Sequence, residues 1–357
     1  MNYREITLRE AIHFKNGKKR PTSEGNIPVY GGNGVLGYAG ESNYEHCIII
    51  GRVGAYCGSV YLEEGKCWVS DNAIAAVPSG DNDTKFFYYL LKGLHLNERH
   101  IGTSQPLLTQ EILNKINCEV PSYPDQQRIA ELLSSLDRKI NVNRKLNDNL
   151  ADLLQTIYQE RFSNDILAVN QGVLSDICSY SRDKVAVSEL NVSTYFSTEN
   201  MLSGKAGSTE ATSLPTTSQT TACHKGDTLI SNIRPYFKKI VYCEGNCGCS
   251  TDVLCFTPSQ PRYSTYLFST LYADKFFAFM VAGSKGTKMP RGDKQQIMTY
   301  PVVLPSEEEL ARFNTIASPL LEQIYSNRAE NKRLSILRDT LLPKLMSGEI
   351  DVSAVQL

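Results

Sequence analysis

A short segment in the second half of the chain concentrates polar and aromatic side chains that could form a binding site. Between positions 229 and 245 the sequence reads LISNIRPYFKKIVYCEG. An amide, a guanidinium, a phenol and two amines follow one another closely, on Asn232, Arg234, Tyr236, Lys238 and Lys239. Amide and guanidinium groups contact base edges, while amines contact phosphates. The segment therefore predicts contact with a nucleic acid.

Further candidates for the same contact lie on predicted loops. Arg52 and Tyr56 flank Gly54 in a tight turn, although an internally paired Arg52 explains the residue equally well. The basic run that begins at Lys15 is by default a solvated surface, and helix capping is the alternative for the short polar residues near position 104. The candidates outside 229–245 are Lys18, Lys19, Arg20, Tyr30, Asn33, Arg52, Tyr56, Thr103, Gln105, Arg182, Lys285, Lys288 and Arg291.

Signatures of catalysis are absent from the sequence. We find no P-loop, no H-E-x-x-H, no G-x-S-x-G and no Asn/Asp-Pro-Pro-Tyr motif of amino-methyltransferases. Gly32, Gly34 and Gly37 spell G-x-G-x-x-G, but the residues after Tyr38 cannot open the helix that a dinucleotide site requires. A glycine-rich turn is therefore expected there. We predict no cofactor and no chemistry performed by the chain itself.

Four of the ten cysteines lie close together, at positions 243, 247, 249 and 255, with His224 nearby. Their spacing is not the paired C-x2-C form of zinc sites, and alternate residues of a strand face opposite sides. We therefore expect buried free thiols on strands and no metal. Ten cysteines behind an N-terminus without an apolar leader predict a reducing, cytoplasmic environment.

The elements that must position the loops are long helices. Residues 125–162 contain neither Pro nor Gly. Apolar side chains recur there at alternating steps of three and four, which is a heptad seam, and Asn143 and Asn147 occupy two seam positions. The apolar members are Ile129, Leu133, Leu136, Ile140, Leu150, Leu154 and Ile157. A helix of about 57 Å cannot stand alone in water, so it needs a partner helix.

The partner lies in the same chain, because the second half repeats the first with an offset of 184. Between 121 and 156, 12 of 36 positions are identical without a gap, and Gly102, Thr103 and Pro106 also recur as Gly286, Thr287 and Pro290. Such a repeat organises the whole fold. The identical positions are 121, 122, 128, 134, 136, 140, 143, 144, 147, 150, 153 and 156.

Repetition of the seam favours an intramolecular antiparallel coiled coil about a local pseudo-twofold axis. The alternative is that each helix is a core helix of its own globular domain. Buried asparagines cost stability but fix register. We expect an asparagine layer formed by Asn143, Asn147, Asn327 and Asn331. Pro319 predicts a kink or break near 317–318 in the second helix.

The chain has 357 residues, 41% of them hydrophobic, and a net charge of −1, so global electrostatic attraction to nucleic acid is excluded. We predict an α/β (α+β) fold with strands over 47–77, a helix over 85–94, a long surface loop after position 191 and helix over 263–283. The predicted segments are a globular domain (1–123), a long helix (124–162), a second globular domain that repeats the plan of the first (163–305), a second long helix (306–346) and a tail (347–357).

The whole chain resembles the specificity subunit of type I restriction–modification systems. The helical stretches PSYPDQQRIAELLSSLDRKI and LRDTLLPKLMSGEIDV carry the resemblance most specifically. The stretches YGGNGVLGY, GRVGAYCG, KGDTLISNIRPY and GTSQPLL are similar to parts of that family's target recognition domains.

The resemblance implies that each globular domain reads one half of a split site in double-stranded DNA, while the helices set the spacer. It also implies two methylation subunits, which supply S-adenosylmethionine and adenine methylation, two restriction/motor subunits, and no membrane. Two other functions stay open. One is a single-chain DNA methylase or nuclease of related design, and the other is a coiled-coil scaffold that does not bind DNA.

Overall fold

A computed structural model describes residues 3–102, 105–162 and 171–353. Two compact units emerge: unit 1 comprises residues up to 142 together with those from 330 onward, and unit 2 comprises residues 143–329. Helices and strands mix in both units, which confirms the predicted α/β (α+β) class. Because each unit takes one half of each long helix, the division into five segments stays a prediction.

The first part of unit 1 alternates short strands and helices before the first long helix begins. A 3-10 turn (Gly54–Tyr56) follows β5, and another (Leu96–Glu98) follows α2. In chain order the elements are β1 (Arg4–Thr7), α1 (Leu8–Ala11), β2 (Ile12–Asn16), β3 (Ile27–Gly31), β4 (Gly34–Ala39), β5 (Tyr44–Gly51), β6 (Val60–Val69), β7 (Ala73–Pro78), α2 (Thr84–Gly93), α3 (Gln110–Asn114), β8 (Asn117–Val120) and α4 (Tyr123–Phe162).

The described part of unit 1 is built on a six-stranded sheet of order β2-β7-β5-β6-β3-β4. Its central strand β5 is buried from Cys47 onward, as the apolar run CIIIG predicts. Helix α2 begins where the Asp83 carboxylate accepts a hydrogen bond from the Phe86 amide, at 2.8 Å. Its buried face shares one core with the beginning of α4 and the end of the second long helix, through Phe86, Phe87, Tyr89, Leu90, Leu91, Ile129, Leu133 and Leu345.

The first part of unit 2 also alternates short strands and helices, but its strands form different sheets. A 3-10 turn (Pro235–Phe237) follows β14, and others lie at Val187–Glu189 and Pro261–Tyr263. In chain order the elements are β9 (Gln171–Val173), α5 (Leu174–Ile177), β10 (Cys178–Tyr180), β11 (Lys184–Ala186), β12 (Tyr195–Phe196), β13 (Gln219–Cys223), β14 (Thr228–Ser231), β15 (Ile240–Tyr242), β16 (Cys247–Cys249), β17 (Val253–Pro258), α6 (Ser264–Tyr272), α7 (Asp274–Ala282), α8 (Lys294–Met298), β18 (Pro301–Val303) and α9 (Glu307–Met346).

In the described part of unit 2, two four-stranded sheets have the orders β10-β17-β14-β15 and β11-β13-β16-β12. The core against α4 and α9 is aromatic. The rings of Phe162 and Tyr266 meet edge to face at 4.9 Å, and those of Phe162 and Phe313 at 5.2 Å. Such pairs add stabilisation to the burial of apolar area. The halves of α4 and α9 that belong to unit 2 are therefore part of its core.

The globular parts of the two units begin with the same elements and end with an equivalent pair of strands. Each opens strand–helix–strand, as β1-α1-β2 and as β9-α5-β10. The first strand pairs antiparallel with the last short strand, β1 with β8 and β9 with β18. The Leu8 amide donates to the Ile116 carbonyl at 2.9 Å, and the Leu174 amide donates to the Tyr300 carbonyl at 2.8 Å. The acceptors lie 184 residues apart, so the sequence repeat is also a structural repeat.

The prediction of a long surface loop after position 191 is wrong in part. Met201 is fully buried in a small core with cysteines. The Asn200 side chain donates to the Tyr195 carbonyl at 2.9 Å and to the Thr209 carbonyl at 3.0 Å. These side-chain bonds satisfy backbone groups that strands would otherwise satisfy. A polar sequence is thereby held in a compact arrangement.

All ten cysteines are free and buried, as predicted. Five of them share the core that contains Met201, and the sulfur atoms of Cys243 and Cys247 approach to 3.5 Å. Within the described residues, no three histidine, cysteine or acidic side chains are arranged to hold a metal ion. The five are Cys223, Cys243, Cys247, Cys249 and Cys255.

Helices α4 and α9 contact each other in both units. In unit 2, Asn327 donates to the Asn147 carbonyl oxygen at 2.8 Å. In unit 1, Asn331 donates to the backbone carbonyl of Ile140 at 3.3 Å, and Arg338 donates to Asp137 at 2.5 Å. As the residue numbers on α4 increase, the numbers of their contact partners on α9 decrease. The helices are therefore antiparallel, as predicted.

Helix α9 continues through Pro319, so the predicted break is wrong. Proline removes the hydrogen bond to the carbonyl four residues earlier, that of Thr315. Both residues are exposed, so water can satisfy that carbonyl. Ala317 and Leu321 are buried in the core of unit 2 and hold the helix on both sides of the proline. Among the described helices, none combines the length and apolar character that crossing a bilayer demands.

Asn147 and Asn327 allow a test of the buried amide pair. Replacing Asn147 by leucine leaves the Asn327 amide without its acceptor, and we expect a loss of about 1–3 kcal/mol in the free energy of unfolding. Replacing both residues by leucine should recover most of that loss, because Gln323, which donates to Asn327 at 2.8 Å, is exposed and can donate to water instead. Urea unfolding of the full chain measures both values. A double variant as unstable as the single one would contradict the role of this hydrogen bond.

Candidate nucleic-acid interface

In each unit a buried strand ends in a 3-10 turn that exposes one tyrosine. In unit 1 the turn Gly54–Tyr56 follows β5, and in unit 2 the turn Pro235–Phe237 follows β14. Tyr56 is 51% exposed and Tyr236 is 50% exposed. Two of the segments that the sequence singles out therefore have the same local structure.

Backbone hydrogen bonds show that the two turns are equivalent with an offset of 180. The amides of Arg52 and Asn232 donate to the carbonyls of Asn72 and Asp252, at 3.0 and 2.8 Å. The amides of Gly54 and Arg234 donate to the carbonyls of Pro106 and Pro290, at 3.0 and 2.8 Å. Arg52 therefore corresponds to Asn232, Gly54 to Arg234 and Tyr56 to Tyr236.

The turn needs two residues with left-handed backbone. Unit 1 uses Gly54 and Gly58, with φ of 74° and 84°, whereas unit 2 uses Arg234 and Lys238, both with φ of 51°. Glycine adopts this region without a steric penalty, while a side chain costs about 1 kcal/mol or more. In unit 2 the strained turn is braced, because the amides of Gly204 and Lys205 donate to the carbonyls of Phe237 and Lys238, at 2.8 and 2.9 Å. Unit 2 thus gains two cationic side chains at the turn.

In each unit a hairpin that precedes α3 or α8 contacts the turn. Ile101 and Leu107 exchange two backbone hydrogen bonds at 2.9 Å, and Lys285 and Arg291 exchange two at 2.9 Å. Each hairpin contains a left-handed glycine, Gly102 or Gly286. The carbonyl of Pro106 or Pro290 in the hairpin accepts the hydrogen bond from the amide of Gly54 or Arg234 that is described above. Of the candidates on the unit 1 hairpin, Gln105 is exposed and Thr103 lies outside the described residues.

The glycine-rich segment of unit 1 also lies at this turn. Strands β3 and β4 form an antiparallel hairpin whose tip carries exposed Asn33. The Ser59 hydroxyl donates to the Gly32 carbonyl at 2.5 Å, which joins the tip to the segment after Tyr56. A G-x-G-x-x-G sequence in a β-hairpin does not form the strand–helix turn that binds a dinucleotide. The expected glycine-rich turn is confirmed.

Two arginines of the turns have no acidic partner among the described residues. The Nε atoms of Arg52 and Arg234 are buried without a hydrogen-bond partner in that part of the chain. An unpaired buried donor costs free energy, so both guanidinium groups are suited to an external acceptor. The alternative that Arg52 is internally paired is not seen in the described residues.

Most other cations of unit 2 are engaged with neighbours. Lys285 pairs with Asp293 at 2.5 Å, Arg291 with Asp252 at 3.1 Å and Lys238 with Asp274 at 3.0 Å. Lys239 donates to the Thr198 carbonyl at 2.6 Å. Lys205 and then Lys238 lower the pKa of Asp274, and Lys285 lowers the pKa of Asp293. These pairs neutralise most of the positive charge that the sequence indicates near the turn.

The remaining predicted residues divide by exposure. Lys18 bridges to Ser70 in the turn before β7, and Lys19, Arg182 and Lys288 are exposed. Arg20 is exposed and donates weakly to the Tyr38 carbonyl, at 3.4 Å. Tyr30 is buried, and its hydroxyl donates to Glu63 at 3.0 Å. Burial, and next that hydrogen bond, raise the pKa of Tyr30.

Sequence comparison alone did not reveal that Arg52 and Asn232 occupy equivalent positions. The helices repeat with an offset of 184, so an alignment without gaps places the two turns out of register. The signal that could have found it is the shared pattern RVGAY and NIRPY, in which an apolar residue and a tyrosine recur three apart. Only the strand ends and their hydrogen bonds establish the correspondence.

The geometry agrees with what comparisons with known proteins show. Residues 2–151 match the family model of the type I restriction modification DNA specificity domain. The chain is 31% identical over 116 residues to the type I restriction enzyme EcoprrI specificity subunit of Escherichia coli, a match that covers 32% of this chain. It is 23% identical to the MjaIX specificity subunit of Methanocaldococcus jannaschii, over 77% of this chain. Residues 2–151 thus match the DNA specificity domain of type I restriction enzymes, and the chain is similar to specificity subunits of these enzymes.

The fold of the whole chain is similar to that of a solved structure. A solved structure of the S subunit of the type I restriction–modification system from M. genitalium aligns with a TM-score of 0.68 at 19% identity, covering 97% of this chain and 96% of that one. At this identity the likeness concerns the fold alone. The match with the E. coli specificity subunit spans 29% of that protein's length, and the match with the M. jannaschii subunit spans 71%.

Proposed function

We propose that this chain is the DNA-recognition subunit of a type I restriction–modification complex and that each unit reads one half of a bipartite site. The observation that carries the proposal is the pair of equivalent turns. Each presents an exposed tyrosine and an arginine that has no acidic partner among the described residues. A guanidinium group binds either a phosphate or the O6 and N7 atoms of guanine.

The two units read different sequences under this proposal. At equivalent positions unit 1 carries Arg52 and Gly54, whereas unit 2 carries Asn232 and Arg234. Asn232 is buried, at 6% exposure, so the guanidinium groups of Arg52 and Arg234 are the side chains available to bases, and they start from different backbone positions of the same turn. The common scaffold with differing side chains is what a site with two dissimilar halves requires.

Catalysis comes from partner subunits under the same proposal, with two methylation subunits and two restriction/motor subunits. The exposed apolar residues of the long helices support two methylation subunits. Leu153 in unit 2 is 47% exposed, and Leu337 in unit 1, its repeat equivalent, is 46% exposed. Equal exposure of the same residue at both repeat positions suits two copies of one partner. The chain itself performs no chemistry and supplies recognition.

The proposal is tested by mapping methylated adenines in DNA exposed to this chain together with its methylation subunits. We expect methylation at one bipartite motif, with a defined spacer between two dissimilar halves. Methylation without a defined motif, or duplex binding that does not weaken between low and moderate salt, would contradict it.

Arg52 gives a sharper test within unit 1. Replacing Arg52 by alanine should weaken binding to the mapped site about 5–150-fold, the equivalent of about 1–3 kcal/mol. The loss should come with relaxed preference at one position of one half-site, measured by competition among duplexes that differ at single base pairs. Arg9, an exposed arginine on α1, provides the matched control. Equal losses in the Arg52→Ala and Arg9→Ala variants would contradict a specific role for Arg52.

A further inference from the structure

We propose that Tyr56 and Tyr236 make one and the same contact in the two half-sites, with the sugar–phosphate backbone rather than with a base. This inference rests on the proposed function and deepens it, because it separates the residues that hold DNA from those that select its sequence. The shared contact would be a hydrogen bond from the phenol to a phosphate oxygen, with the ring against the adjacent sugar.

The first support is the identity of the two residues within turns that otherwise differ. Segments 51–58 and 231–238 read GRVGAYCG and SNIRPYFK, and only the tyrosine is common to both at equivalent positions. Two copies of a repeat that have diverged at the seven other positions retain this side chain. A requirement shared by both half-sites explains the retention.

Internal packing does not require the hydroxyl at these positions, although the Tyr236 ring contacts the Phe237 ring at 4.8 Å. Both side chains are half exposed. Neither hydroxyl has a hydrogen-bond partner in the part of the chain that the structure describes, whereas Tyr30 and Tyr89 in unit 1 each donate to a carboxylate. A half-exposed ring with a free hydroxyl is suited to an external ligand that offers both an apolar surface and an acceptor.

The second support is what surrounds the two tyrosines. Each lies four residues or fewer from an arginine whose Nε is unsatisfied among the described atoms, Arg52 or Arg234. The two arginines occupy different positions of the turn, so they approach a ligand from different backbone sites. A phenol can donate to a phosphate oxygen, which carries no sequence information, while the neighbouring guanidinium group stays available for a base edge.

The turn also holds the tyrosine in a defined place before any ligand binds. Two residues with left-handed backbone fix the shape of the turn. The carbonyl of Pro106 or Pro290 in the hairpin accepts a hydrogen bond from a backbone amide of the turn. An ordered donor loses little conformational entropy on binding. Because phosphates are present at every base pair, a rigid donor common to both units suits the backbone, whereas Arg52 and Arg234, which occupy different positions of the turn, suit the bases.

The experiment uses the full chain in complex with its methylation subunits. Binding is measured to a duplex that carries the mapped site and to a duplex in which both half-sites are scrambled. The variants are Tyr56→Phe, Tyr56→Ala, Tyr236→Phe and Tyr236→Ala. The control is Tyr123→Ala, which removes a 40% exposed tyrosine at the start of α4. Thermal unfolding of each variant establishes that it is folded, and the phenylalanine variants retain the ring.

We expect each alanine variant to lose about tenfold in affinity for both duplexes, corresponding to about 1.4 kcal/mol. The ratio of the two affinities should stay that of the unsubstituted complex, and the phenylalanine variants should show part of the loss. The control should bind like the unsubstituted complex.

Three outcomes would overturn the inference: a loss confined to the cognate duplex, a loss in only one of the two units, or unchanged affinity in all four variants. The first outcome would mean that the tyrosines contact bases.

The proposed function is tested separately by the unsubstituted complex. If that complex does not prefer the mapped site over the scrambled duplex, the proposed function is wrong, whatever the variants show.

Discussion

Replacing Asp137 by leucine is expected to lower the free energy of unfolding by about 3 kcal/mol. Asp137 accepts hydrogen bonds from Arg338 at 2.5 Å and from the Tyr89 hydroxyl at 2.6 Å. The side chains of Arg338 and Asp137 are only 20% and 24% exposed. Removing the carboxylate leaves a largely buried guanidinium group and a buried hydroxyl without their acceptor, and both then lack hydration.

Replacing Asp137 and Arg338 together by leucine is expected to recover most of that loss. The repeat itself provides the reason. The equivalent positions in unit 2 are Leu321 and Leu154, which are buried in its apolar core. A pair of leucines therefore fits between the two helices at this level, and well-packed apolar residues can replace a buried ion pair at little cost.

Urea unfolding followed by circular dichroism measures the single variants, the double variant and the double variant with Tyr89→Phe, which removes the hydroxyl that has lost its acceptor. Asp339 serves as the control, because it contacts the same Arg338 at 2.8 Å from a 63% exposed position. Its replacement by alanine should cost less than about 1 kcal/mol. A double variant less stable than Asp137→Leu alone would contradict this account.

Inserting one heptad into both long helices is expected to abolish methylation at the original sites. Seven residues add about 10 Å of helix, close to the rise of about three base pairs. If helix length sets the spacer, as we propose, methylation should appear at sites whose half-sites are unchanged and whose spacer is longer. Insertions after Val142 in α4 and after Ala329 in α9 place the heptads at the boundary between the units.

The matched control keeps helix length constant. In it, the exposed residues of one heptad of α4 are replaced without insertion, and the methylated motif should not change. Sequencing of methylated adenines reports both results. An unchanged spacer in a folded, active complex with both insertions would contradict the proposed role of the helices.

Local and periodic features could be predicted from the sequence alone. The heptad seam, the asparagines within it and the repeat with its offset of 184 specify two long helices and their antiparallel pairing. These signals suffice because side chains three and four residues apart share one face of a helix. The apolar run of β5 and the amphipathic residues of α2 likewise specify a strand and a helix without reference to the rest of the chain.

Other features depend on contacts between distant segments. Pro319 does not end α9, because buried Ala317 and Leu321 hold the helix on both sides. Tyr30 resembles an exposed loop residue in sequence, but the sheet buries it against Glu63. Lys285, Lys238 and Arg291 look like free cations until the fold brings acidic residues to them. Such pairings follow from tertiary packing, which overrides local preference.

The sequence by itself determined the α/β class and the paired helices, and it predicted the resemblance to specificity subunits and the region of the candidate interface. Only the tertiary structure decided that Arg52 and Asn232 occupy the same place, that Tyr56 and Tyr236 are equivalent, and which cations stay without an acidic partner among the described residues. The physical reason is that helix periodicity depends only on residues close together in the sequence. The shape of a binding turn is instead set by hydrogen bonds to strands and hairpins far along the chain.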